Sequence, residues 1–145
     1  MKRVATLAAC AALIAACEPL EDLSEAEVLS LRPTTAQVPL RFETVDIRAL
    51  LLGGGGSRTE VPGSECRVFG AGVRTLSFTA PQRVAVPVLE GAARSYTVEC
   101  TGLVGPSKLT TTGTLAPRDP EAVVTPDSTG RVYPPRASVA YALPR

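Results

Sequence analysis

Residues 65–102 read ECRVFGAGVRTLSFTAPQRVAVPVLEGAARSYTVECTG. Apolar and polar side chains alternate through four runs of this stretch, the period of a half-buried β-strand. Cys66 and Val68 share one face with Arg67 opposite, and Leu76 and Phe78 alternate with Thr75, Ser77 and Thr79. Val84, Val86 and Val88 point one way, with Arg83, Ala85 and Pro87 on the other side. Pro87 has no ladder hydrogen to donate, which predicts an edge position for that strand. Glu90 to Ala93 read as a turn, after which Tyr96, Val98 and Cys100 face inward and Ser95, Thr97, Glu99 and Thr101 face outward.

The same period extends outward in both directions. Toward the C-terminus, Leu109 and Leu115 lie in phase, with Thr110, Thr112 and Thr114 on the other side. Residues 117–135 are rich in proline, and Ala137 to Leu143 form a last candidate strand packing Val139, Tyr141 and Leu143. Toward the N-terminus, Leu40 and Phe42 alternate with Arg41 and Glu43, and Val45, Ile47 and Ala49 alternate with Asp46 and Arg48. The apolar face shifts by one residue near Thr44, which predicts a bulge or two short strands. A helix over residues 43–52 is the alternative. Short strands separated by Gly and Pro turns predict an all-β fold, a small β-sandwich stapled by a disulfide.

The chain opens Met1-Lys2-Arg3 and continues with apolar residues from Val4 to Ala16, broken by Thr6 and Cys10. A membrane span takes roughly 20 apolar residues, so this run is too short to be one. A basic start, a short apolar centre and small residues at the end describe a secretory signal peptide. Ile14-Ala15-Ala16-Cys17 resembles the bacterial lipobox. That resemblance implies cleavage after Ala16, a diacylglyceryl thioether on Cys17 and acylation of the new amine. Leu7 to Cys10 fits the same pattern, but leaves an apolar centre below the usual minimum of about 7 residues. An ordinary secretory signal with an incidental cysteine is the competing reading. One acyl chain holds a protein marginally, whereas two make a stable anchor. In enteric bacteria an aspartate after the cysteine marks inner-membrane retention, so Glu18 points to the periplasm-facing outer membrane.

The domain plan follows. Residues 1–16 are a lipoprotein signal peptide, and 17–37 are the lipidated cysteine with a flexible acidic tether. Residues 38–116 form the β-sandwich, and 117–145 are a Pro-rich extended segment with a possible last strand. The tether carries five acids and no base over residues 18–30, with a capping-box pattern at Ser24 and Glu27 that allows a helical turn. Loss of Lys2 and Arg3 with the signal changes the formal charge from +1 to −1, so no field suggests nucleic acid as a partner. With Cys10 removed and Cys17 acylated, Cys66 and Cys100 remain in an oxidising compartment and allow one pairing. Two free thiols are the alternative.

Residues 61–104 carry a further resemblance. Pro62, Gly63, Cys66, Val68, Thr79, Pro81, Val84, Val86, Cys100 and Gly102 occupy the places of a Pro-Gly turn, a Thr-Pro turn and a closing Cys-x-Gly strand. The stretch resembles the PEGA-like β-domain of proteobacterial envelope lipoproteins, although Ser64 and Glu65 replace the literal motif after the glycine. The resemblance implies a fold and a compartment, and it carries no catalytic residues.

The chain has no histidine, which removes the commonest general base and metal ligand. Ser107 and Lys108 are neighbours on a strand and point to opposite faces. Glu43 with Asp46, and Glu65 with Glu99, are the carboxylate pairs that acid chemistry would use. Gly53 to Arg58 lacks the Lys-Ser or Lys-Thr step of a phosphate loop. No metal or cofactor motif is present. The sequence therefore predicts a non-catalytic envelope module, anchored in the membrane by its lipid, that contacts peptidoglycan, a glycan or another envelope protein. Exposed threonines (Thr97, Thr101, Thr110 to Thr112 and Thr114) are its candidate hydrogen-bonding groups. The alternative is an envelope-anchored inhibitor that inserts the Gly53–Arg58 loop or the Gly70–Arg74 turn into a hydrolase.

Overall fold

The computed structural model describes residues 20–143. The predicted signal peptide, with the predicted cleavage at Ala16 and lipidation at Cys17, falls outside the described residues. The strands in chain order are β1 (Val28–Ser30), β2 (Arg41–Leu52), β3 (Arg58–Glu60), β4 (Ser64–Phe69), β5 (Leu76–Ala80), β6 (Gln82–Val88), β7 (Gly91–Ala92), β8 (Tyr96–Val104), β9 (Ser107–Leu115), β10 (Val123–Val124) and β11 (Arg136–Ala142). One sheet runs β1-β6-β2-β11, with β3 also on β2, and the other runs β5-β4-β8-β9. β7 and β10 form a separate two-stranded ribbon. The fold is all-β, as the alternation predicts. Among the described residues, no helix is long and apolar enough to cross a membrane.

The core lies between the two larger sheets. Val45, Ile47, Val84 and Val86 from one sheet meet Val68, Tyr96, Val98 and Leu115 from the other. Cys66 and Cys100 sit directly opposite each other on β4 and β8 and are disulfide-bonded. The bridge therefore staples two neighbouring strands of one sheet on its buried face. On one side of the sandwich, β11 meets β9: Thr111 donates its hydroxyl to the Ala140 carbonyl at 2.7 Å. A Cβ on Gly113 would lie 2.7 Å from Val139 Cγ1, so this close approach requires a glycine. At the same side Tyr141 reaches across the core and donates to Ser64 Oγ at 3.0 Å.

β2 is one unbroken strand, and its register against β6 runs without a slip from Arg41↔Val88 to Ile47↔Gln82. The expected bulge near Thr44 is absent. Glu43, Val45, Ile47 and Ala49 all point inward, and Phe42 points outward and is exposed. The apolar pattern breaks because a carboxylate, not a hydrophobe, takes the first inward position. Glu43 is buried, and it accepts hydrogen bonds from the backbone N–H of Val132 at 3.0 Å and of Tyr133 at 2.8 Å. Arg41 donates to the carbonyls of Ser128 and Gly130, and Arg131 to that of Thr44. The Pro-rich segment is thus a strap fastened to β2, and it delivers the chain to β11.

β6 is an interior strand, contrary to the expectation from Pro87. Its β1 neighbour is paired only along Arg83 to Ala85, so Pro87 lies past the end of that partner and loses no ladder bond. Leu143 is exposed rather than packed, while Val139 and Tyr141 are buried as expected.

The largest correction concerns the tether. Residues 20–37 are docked on the sandwich, and the described part of the segment is not a flexible spacer. Leu23 and Leu31 are buried, and β1 pairs parallel to β6. Arg48 and Glu60 form an ion pair at 2.8 Å, both largely buried. Glu60 Oε2 accepts the Glu21 N–H at 3.1 Å, and Arg48 donates to the Glu21 carbonyl. Further along, Arg83 donates to the Ser24 carbonyl and Gln82 to that of Glu27. The segment's acids face water, which made the run read as solvated. What holds it is its backbone, together with two leucines. The predicted helical start at Ser24 is a turn, closed by Ala26 N–H on the Leu23 carbonyl. The Ser24 N–H at 3.0 Å holds the exposed Asp22 carboxyl below its usual range.

Tyr133 and Tyr96 are buried beside each other with ring centroids 6.2 Å apart. Tyr133 donates to the Arg94 carbonyl at 2.7 Å. Burial pushes both phenols above the ordinary value of 10.0. In that case the unfolded chain loses these protons first as pH rises. Stability is then fully present below pH 10 and falls above it. Urea titrations from pH 8 to 11 are expected to show this fall. In Tyr133→Phe the fall becomes shallower, and a slope identical to the parent's would contradict the assignment to Tyr133.

Candidate functional site

The outward face of the β5-β4-β8-β9 sheet carries a regular array of polar groups. Strand register fixes it in three rows. Thr79, Glu65, Thr101 and Thr110 form the first; Ser77, Arg67, Glu99 and Thr112 form the second; Phe69, Thr97 and Thr114 form the third. Each position follows from the period of two, because the alternate residues of the same strands carry the core. Glu65, Arg67, Ser77, Thr79, Glu99 and Thr101 of this array line a shallow open depression of about 450 Å³.

Two of the three charges in the array, Arg67 and Glu99, are paired with each other. Arg67 Nε donates to Glu99 Oε1 at 3.0 Å, and the Arg67 guanidinium carbon lies 4.8 Å from the Phe69 ring centroid. A surface ion pair of this kind contributes little to stability, but it fixes where the guanidinium and the ring lie. Thr101 and Thr110 hydroxyls are 2.9 Å apart and hydrogen-bonded. What the face offers a ligand is a set of hydroxyls, one exposed carboxylate at Glu65, and an aromatic ring edge at one end. Such a surface can hydrogen-bond an extended, hydroxyl-rich chain laid across the strands.

The sequence-predicted groups fall as follows. Thr97, Thr101, Thr110, Thr112 and Thr114 belong to the array, whereas Thr111 points the other way, to β11. Glu65 and Glu99 share the face but not a row, and Glu99 is engaged by Arg67. Glu43 and Asp46 are on opposite faces of β2: Glu43 holds the strap, and Asp46 lies 3.7 Å from Arg83. Ser107 and Lys108 are both exposed at the start of β9. The Gly53–Arg58 stretch makes an exposed single turn at Gly54–Gly56 and leads into β3, not into a helix. The Gly70–Arg74 turn is fastened: Thr34 N–H donates to the Gly72 carbonyl and Arg74 N–H to that of Arg32.

Sequence reasoning missed the place of Arg67, Ser77 and Phe69 in the array, because cross-strand register is not visible in one strand's alternation. Among the described residues, no group of three His, Cys, Asp or Glu side chains comes together to hold a metal ion. No protein-family model, no curated protein and no solved structure matches the chain.

Proposed function

We propose that this is a lipid-anchored protein of the bacterial cell envelope whose hydroxyl-lined sheet face binds a glycan chain, with peptidoglycan the first candidate. The observation that carries the reading is the three-row array on β5, β4, β8 and β9, in which Arg67 and Glu99 pair with each other and threonine hydroxyls face outward. A polyhydroxyl ligand is recognised through many modest hydrogen bonds on a wide, open face rather than through one deep pocket. The Cys66–Cys100 bridge supports an oxidising compartment. The lipobox-like Ile14 to Cys17 supports the anchor, and the PEGA-like pattern of residues 61–104 agrees with the same compartment.

Co-sedimentation of the detergent-solubilised protein with purified cell-wall sacculi tests the binding. The protein is expected in the pellet, with little loss between 50 and about 300 mM salt, because the one cation of the face, Arg67, is held by Glu99 and hydroxyl contacts are not screened. Thr97→Val with Thr114→Val is expected to reduce the pelleted fraction several-fold. Protein that stays in the supernatant with sacculi overturns the glycan reading. Recovery with a single stoichiometric hydrolase replaces it with the inhibitor reading, in which the Gly53–Arg58 loop or the Gly70–Arg74 turn is the inserted element.

A further inference from the structure

One end of the sandwich gathers its chain turns, and the N-terminal segment joins there. β2 ends at Leu52, which pairs with Ala142 of β11 and with Arg58 of β3. Tyr141 touches the level of Gly102, so the β8–β9 turn, with Leu103 opposite Lys108, lies at the same end. The chain reaches this end at Glu21, pinned by Glu60 and Arg48. Leu20, Leu52, Leu103 and Leu143 are all exposed there, Leu103 at 69%. Among the described residues, Arg58 and Lys108 are its cations and Glu21 and Asp22 its acids, two of each sign.

We infer that this end of the sandwich docks on the lipid bilayer. The inference rests on acylation of Cys17, the reading proposed above. Only Glu18 and Pro19 then separate Cys17 from Leu20, a reach of about 11 Å at most over the three Cα–Cα steps. The headgroup layer on each side of a bilayer is itself roughly 5–7 Å thick. With the Glu21 backbone clamped, no length of free chain remains to lift the domain away, and the four leucines sit where the interface is. The balanced charge makes the contact an apolar one, so a zwitterionic bilayer suffices. The opposite end, at Leu40 and Val38, stands about 40 Å away along β2, and the hydroxyl array flanks the axis between the two ends. The anchor therefore orients the glycan face beside the membrane normal rather than against the lipid.

Tryptophan quenching tests the orientation, because the chain has no tryptophan of its own. Leu103→Trp and Leu40→Trp replace exposed side chains at opposite ends. Each full-length variant is purified from membranes and reconstituted in phosphatidylcholine vesicles with brominated acyl chains. Leu103→Trp is expected to lose about twofold in emission relative to unbrominated vesicles, and Leu40→Trp to lose none. The mass of the N-terminal peptide is measured on the same preparation. Acyl mass on Cys17 with an unquenched Leu103→Trp, or equal quenching of both variants, overturns the docking and leaves the anchor standing. A preparation without acyl mass overturns the anchor, and the docking falls with it.

Discussion

Glu43→Ala is expected to lower stability by about 3–5 kcal/mol, read from urea unfolding at neutral pH. The carboxylate lies inside the sandwich and takes the N–H groups of Val132 and Tyr133. Hydrogen bonds to a charged acceptor are each stronger than neutral ones, and removing the acceptor leaves buried donors with no water to replace it. The strap then loses its attachment to β2, and the Tyr133 side chain beneath it loses its seating against Tyr96. Glu43→Gln keeps one carbonyl oxygen in place and is expected to cost about half as much. Amide exchange at Val132 and Tyr133 should quicken in both variants. A loss below about 1 kcal/mol for the alanine variant would mean that the strap is held by other contacts.

Removal of the Cys66–Cys100 bridge is the second large effect. The two cysteines are 34 residues apart in sequence, and the loop they close contains β5, β6 and β7. In the chain-entropy description, opening it costs about 3–4 kcal/mol. For a domain of this size that corresponds to a melting temperature lower by roughly 10–15 °C. A domain of this kind has only about 5–15 kcal/mol in total. Reduction, or the double change Cys66→Ala with Cys100→Ala, should leave the far-ultraviolet circular dichroism intact at 25 °C, because both sheets keep their apolar faces. An unchanged melting temperature would show that the bridge does not constrain the unfolded chain.

Much of the fold was legible where alternation was clean. The inward faces of β4, β5, β6 and β8 follow from Cys66, Val68, Phe78, Val84, Val86, Tyr96, Val98 and Cys100, and all of these are buried. The errors share one cause: a backbone or polar partner supplied from far along the chain. Glu43 was placed outward because an inward carboxylate makes sense only with the Val132 and Tyr133 N–H groups, about ninety residues away. Residues 20–37 read as solvated because their carbonyls are held by Arg48, Arg83 and Gln82, contacts that composition does not carry. Pro87 suggested an edge because the short reach of β1 is not written in β6 itself. The hydroxyl array was half visible. Its threonines stand out in β8 and β9, but the rows exist only once register places Arg67 opposite Glu99 and Thr101 opposite Thr110.

The mass of the N-terminal peptide, released from protein purified out of the membrane fraction, bears most directly on where this molecule works. A peptide that begins at Cys17 and carries a diacylglyceryl group, with or without a third acyl chain, is the predicted result. A peptide that retains any of residues 1–16 and carries no fatty acyl mass would contradict the account.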